Sequence, residues 1–155
     1  MKRIILVVLA LTLMANGTAL AVEKNGGLAA SFAQPGGDFD KVIGSGFGLS
    51  AIFDYSMANV VDISGSLGWY RFGGKTLIEG TNVKSESLSV WEFSAGPQID
   101  FGKLYMGVEG AYYTKLDEWG LVPNIGLRKD MIDVAFRYKM TEDSNFYALR
   151  LGFFF

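Results

Sequence analysis

Asp62, Glu92, Asp100, Glu109, Glu118 and Asp133, with Arg128, Arg137, Lys139 and Arg150, all fall on the less apolar parity of segments that alternate with a period of two. Acids and bases gathered on one face could do acid–base work, relay protons, or neutralise one another. An acidic pair such as Glu92 and Glu109 is the candidate for general acid–base chemistry. Against it, the chain has no His and no Cys. That removes the usual base near neutral pH, imidazole and thiolate metal ligands, and disulfides. Ser is plentiful, yet a Ser without a base is a weak nucleophile. No phosphate-binding loop, zinc spacing or calcium loop occurs. Asp38 and Asp40 form a D-x-D pair that could hold a divalent cation, although such pairs more often shape a solvated turn. No catalytic residue, metal site or cofactor is therefore expected. The net charge of −2 leaves no basic footprint, so no nucleic-acid partner is expected either.

The elements that must position these charges are strands. Period-two segments cover Gly26–Gln34, Ile43–Tyr55, Asn59–Phe72, Leu88–Phe101, Lys103–Tyr113, Leu116–Arg128, Met131–Met140 and Asn145–Phe155. In the seventh, Ile132, Val134, Phe136 and Tyr138 oppose Asp133, Ala135, Arg137 and Lys139. A helical period would have mixed those two sets. The second, fourth and sixth connections are tight, around Ser56-Met57, Gly102 and Lys129-Asp130. The first and third, Pro35–Val42 and Gly73–Ser87, are longer and polar. Eight segments joined by alternately short and longer links describe an up-and-down antiparallel barrel. Pro97 and Pro123 fall inside segments, where a closed barrel has no free edge, so a bulge or an unpaired carbonyl is expected beside each.

The apolar parity sorts its rings by height. Trp69, Trp91, Trp119, Tyr112, Tyr138 and Tyr147 fall at the rim of the longer links. Phe53, Tyr55, Phe101, Phe153 and Phe155 fall at the rim of the tight turns. Two aromatic belts around an aliphatic band fit a barrel wall in lipid, because rings favour the membrane interface. The charged parity then faces inward, where buried charges must pair. The network should centre on the strands of Arg137 and Arg150, with Tyr105 and Phe154 plugging a lumen barely wide enough for side chains.

The amino terminus sets an expected compartment. Lys2 and Arg3 precede the apolar run Ile4–Met14, and Ala19-Leu20-Ala21 has the small-x-small form of a cleavage site. Residues 1–21 read as a Sec signal peptide cut after Ala21, leaving 22–155 as one barrel domain. No Cys follows the apolar run, so no lipoprotein attachment is expected.

This pattern of signal peptide, alternating strands, short turns and a terminal Phe resembles the OmpA/OmpX-type family of small outer-membrane β-barrels across the whole mature chain. The resemblance implies an all-β, eight-stranded antiparallel transmembrane barrel in the cell outer membrane. Its terminal strand, Leu151-Gly152-Phe153-Phe154-Phe155, would be read by the barrel assembly machinery. Some small outer-membrane barrels are lipid-modifying enzymes, but the missing His argues against that here. The expectation is therefore no enzyme, a role in envelope structure or surface interaction, a monomeric state, and outer-membrane lipid and lipopolysaccharide as partners. Arg71, Lys75, Lys84 and Lys115 would meet the anionic head groups. A narrow conduit for small or hydrophobic solutes is the alternative, and a soluble lipid-binding barrel is a further one.

Overall fold

The computed structural model describes residues 24–58, 60–75 and 86–155. Its strands are β1 (Lys24–Gly36), β2 (Ile43–Ala58), β3 (Val61–Gly74), β4 (Leu88–Phe101), β5 (Leu104–Tyr113), β6 (Glu118–Lys129), β7 (Ile132–Thr141) and β8 (Asn145–Phe154). A single helical turn, α1 (Phe39–Val42), interrupts the link between β1 and β2. The strands close in sequence order into one barrel, with β8 paired antiparallel to β1. The signal peptide read at residues 1–21 and Lys84 lie outside the described residues.

A path that leaves β1 at Gly26 and follows the pairing through Phe53, Gly65, Ala95, Gly110, Leu121 and Met140 re-enters β1 near Gly36. This stagger tilts the strands and draws the wall tightly around its contents. Inward side chains must therefore interlock. Gly126 on β6 pairs with Tyr105 on β5, whose ring lies where a Cβ on Gly126 would be, 2.3 Å from Tyr105 Cζ. On β2, Gly48 makes the same room for Tyr70, and Gly46 for Phe72.

The links also differ in kind between the two rims. At one, β4 joins β5 through Gly102 and Lys103, and β6 joins β7 through Asp130 and Met131. Gly102 and Asp130 take the positive φ values, 80° and 53°, that let a two-residue link reverse the chain. At the other rim stand α1, the end of β3 and the start of β4. The expected turn at Ser56-Met57 is displaced: β2 continues to Ala58, with a register shift between Ser56 and Ala58. The register shift absorbs the extra length.

No register shift marks Pro97 or Pro123, so the expected bulges are absent. Instead one ladder beside each is interrupted. Pairing of β4 with β5 passes from Ala95↔Gly110 to Gln98↔Gly107, leaving Gly96 and Pro97 unpaired on that side. Pairing of β6 with β7 passes from Leu121↔Met140 to Asn124↔Arg137, leaving Val122 and Pro123 likewise. On its other side each proline keeps its place in the ladder, opposite Ile63 and Val108 respectively. A proline lacks only its own N–H, so losing one ladder locally is enough.

Burial follows the alternation. In β8 every second residue from Phe146 to Phe154 is buried, while Tyr147, Leu149, Leu151 and Phe153 are exposed. Leu28, Leu127, Leu149 and Leu151 are each 56 to 62 % exposed, on a wall that carries aliphatic side chains all round. Asp54, Asp62, Glu92, Glu109, Asp133, Arg137, Lys139 and Arg150 are buried inside. This inverts the arrangement of a protein that meets water on its outer surface.

Candidate functional site: the barrel interior

The inward residues form three layers. The central one is built on Arg137 of β7, which is wholly buried. Its Nη1 donates to Glu92 Oε1 at 3.1 Å and to Ser66 Oγ at 3.3 Å. Its Nη2 donates to Glu109 Oε2 at 2.5 Å and to Ser94 Oγ at 3.2 Å. Lys139, one turn of the pleat further along, is ion-paired with the second oxygen of Glu92. Asn124 Nδ2 donates to Glu109 Oε1 at 3.1 Å. Two acids thus face two bases, and five strands (β3 to β7) are tied across the lumen. A buried ion pair adds little net stability, but a buried charge without its partner is costly, so the quartet fixes one arrangement of the interior.

Toward the short-turn rim lies a second layer around Asp133. Arg150 Nη2 donates to Asp133 Oδ1 at 3.0 Å, and Tyr105 Oη donates to Asp133 Oδ2 at 2.7 Å. Arg128 pairs with Asp133 at 3.5 Å and also with Asp54. Its guanidinium lies 4.3 Å from the centroid of the Phe154 ring and 5.1 Å from that of Tyr105. Tyr105 and Phe154 therefore do plug the interior, and they do so under a cation that their faces attract.

The third layer, toward the long-loop rim, is apolar. Phe146 touches Tyr70, Phe72 and Tyr113 edge-on, with centroids 5.8, 5.2 and 5.9 Å apart. Val90 and Val122 complete the cluster. Edge-to-face packing of this kind adds to the burial of the rings.

Asp62, Glu92, Glu109, Asp133, Arg137, Lys139 and Arg150 are buried and Asp100, Glu118 and Arg128 half-buried, but these residues do not make one network. Arg137 and Arg150 anchor separate layers and not a shared centre. Asp62 and Asp100 stand near the short-turn rim around Gln98, whose Nε2 donates to Asp100 at 3.1 Å. Glu118 sits at the opposite end, where Ser144 Oγ donates to it at 3.4 Å. Asp54 was missed although it shares the inward parity of β2, and so was the aromatic layer. Tyr70, Phe72 and Phe146 alternate correctly for the lumen, but rings on an inward parity look like core in any barrel.

On the outer wall the expected aromatic residues pair across strands. Trp69 faces Trp91 and Tyr112 faces Trp119, with centroids 5.1 Å apart for the second pair. Tyr138 stacks on Tyr147 at 4.8 Å. Phe101, Phe153 and Phe155 are exposed, while Phe53 and Tyr55 are half-buried, the ring of Phe53 lying over Gly65. The D-x-D pair is occupied by lysines. Asp38 pairs with Lys41 at 2.5 Å and Asp40 with Lys75 at 2.8 Å. Lys41 holds the Asp38 carboxyl below its ordinary range, chiefly through their hydrogen bond. Among the described residues no group of three acids is placed to hold a metal.

A closed up-and-down barrel with an aliphatic, ring-bordered outer wall and ion pairs inside defines the class: a transmembrane β-barrel of the outer-membrane kind. Solved structures share the fold. The outer membrane protein Ail of Yersinia pestis, in a phospholipid bilayer nanodisc, is 16% identical with a TM-score of 0.54, over 86% of this chain and 100% of that one. Neisserial surface protein A is 12% identical with a TM-score of 0.54, over 87% and 98% of the two chains. A de novo designed transmembrane β-barrel gives 10% identity and a TM-score of 0.53, over 84% and 95%. No family model and no curated protein sequence matches the chain.

Proposed function

We propose that the chain is a non-enzymatic integral barrel of the outer membrane, with a filled lumen, serving envelope structure or surface interaction. The observation that carries this reading is the layered interior. An ion-paired quartet and an aromatic cluster lie one above the other across the same narrow lumen, so a solute would have to disrupt both. The conduit reading is weaker for that reason. The two-residue turns belong to the periplasmic rim and the longer links to the outside. Trp69, Trp91, Trp119, Tyr112, Tyr138 and Tyr147 then form the outer interfacial girdle. Phe53, Tyr55, Phe101, Phe153 and Phe155 form the periplasmic girdle, and the last of these are the residues for the assembly machinery to read. Partners on this reading are lipid and lipopolysaccharide, and the barrel works as a monomer, exported by the Sec route with its signal peptide cleaved after Ala21.

Catalysis is disfavoured by the chemistry of the tightest serine–carboxylate contact among the described residues. Ser94 donates to Glu109, but Arg137 neutralises that carboxylate and the site is buried within the wall. Planar-bilayer recording tests the proposal. The purified barrel is expected to give no stable conductance steps, whereas reproducible open-channel steps would support the conduit.

A further inference from the structure

The wall has a groove of about 560 Å³ on the lipid side of β1 to β4. Its floor is low because Ala51 stands where neighbouring strands carry large side chains, and Leu28, Leu49, Leu67, Trp69 and Trp91 form its sides. Arg71 follows Trp69 on the same face of β3, between Phe47 and Ser89 of the adjacent strands. Arg71 is exposed and forms no ion pair or hydrogen bond with any described residue. A cation on the lipid-facing wall without a partner contrasts with the interior, where Arg128, Arg137, Lys139 and Arg150 are all paired.

We infer that this groove and Arg71 together form a binding site for one net-anionic, phosphate-bearing lipid of the outer leaflet. An acyl chain lies between Leu28, Leu49 and Leu67, and the phosphate meets Arg71. The dimensions agree: Leu67 to Arg71 spans about 13 Å along the strand, at ~3.3 Å per residue. With the strand tilted by about 40°, that is roughly 10 Å of depth, within the ~15 Å that one leaflet's chains occupy. The Trp69–Trp91 pair lies between chain and phosphate, at the level where indole rings favour the interface. A guanidinium suits this place because its fork can hold two phosphate oxygens at once. The inference rests on the membrane-barrel reading and its orientation.

The test uses the full mature chain with Trp119→Phe, so that emission comes from Trp69 and Trp91. It is folded into phosphatidylcholine vesicles containing either brominated-chain phosphatidylglycerol or the same fraction of brominated phosphatidylcholine. Quenching by the anionic lipid is expected to match about a fivefold local enrichment at low salt, the effect of one basic residue near the surface. Arg71→Gln is expected to bring it down to the phosphatidylcholine level. Equal quenching by the two lipids, or a preference that survives Arg71→Gln, overturns the site. Heat-dependent gel migration of the same samples reports insertion. An inserted barrel with no preference refutes the lipid site alone, and failure to insert refutes the membrane reading with it.

Discussion

The ammonium of Lys139 lies 3.7 Å from the centroid of the Tyr70 ring. This contact joins the ion-paired layer to the aromatic layer, because the same ammonium is bonded to Glu92. A cation over a ring in a desolvated site is worth about 2 kcal/mol. A double-mutant cycle of Lys139→Met and Tyr70→Leu, read by urea unfolding in detergent, is expected to show coupling of about 1–2 kcal/mol. Additive effects would mean that the layers are stacked but energetically independent.

Arg137 should be the costliest interior residue to remove. Arg137→Met leaves Glu109 buried with only Ser94 and Asn124 as donors, and a loss of roughly 3–5 kcal/mol is expected. Adding Glu109→Gln removes the stranded charge and should recover more than half of it. The midpoint of unfolding for the two variants checks both statements.

Gly126→Ala is expected to destabilise the barrel by about 1–3 kcal/mol, since the new methyl meets the Tyr105 ring and shifts the hydroxyl that bonds Asp133. Gly110→Ala is the control. Its Cβ would point outward and come no closer than 3.9 Å to Ala95 O, so a change within about 0.5 kcal/mol is expected. Equal effects would show that the wall is less tightly interlocked than the pairing implies.

The first outer link carries the pH prediction. Asp38 has a depressed pKa in the folded chain because of Lys41. What the pair contributes is therefore present above the unfolded carboxylate pKa and lost as pH falls through the folded one. The Asp38 carboxyl resonance in a nuclear magnetic resonance titration should move below the ordinary value in the native chain. In Lys41→Met it should return to that value.

Much of this architecture was legible in the sequence. A period of two survives any context, so the bounds Leu88–Phe101 read from the sequence are those of β4. The partners were not legible, since they depend on the stagger of the strands. Asp133 meets Arg150 because Asp133 lies opposite Gly152 in the register, and neither residue type announces that. The same holds for Tyr70 over Gly48, where only the register reveals that a glycine makes room for the ring. The groove below Arg71 was invisible for a related reason, because an alanine among leucines becomes a feature only when four strands are laid side by side.

The account turns on which face of the wall meets lipid, and the absence of native Cys makes that measurable with single cysteines. Spin labels at Leu127, Val134, Leu149 and Leu151, in protein reconstituted into vesicles, should collide readily with oxygen and hardly at all with a water-soluble nickel reagent. Ready access to the nickel reagent at these four positions, with the protein recovered free of the vesicles, would contradict the membrane barrel.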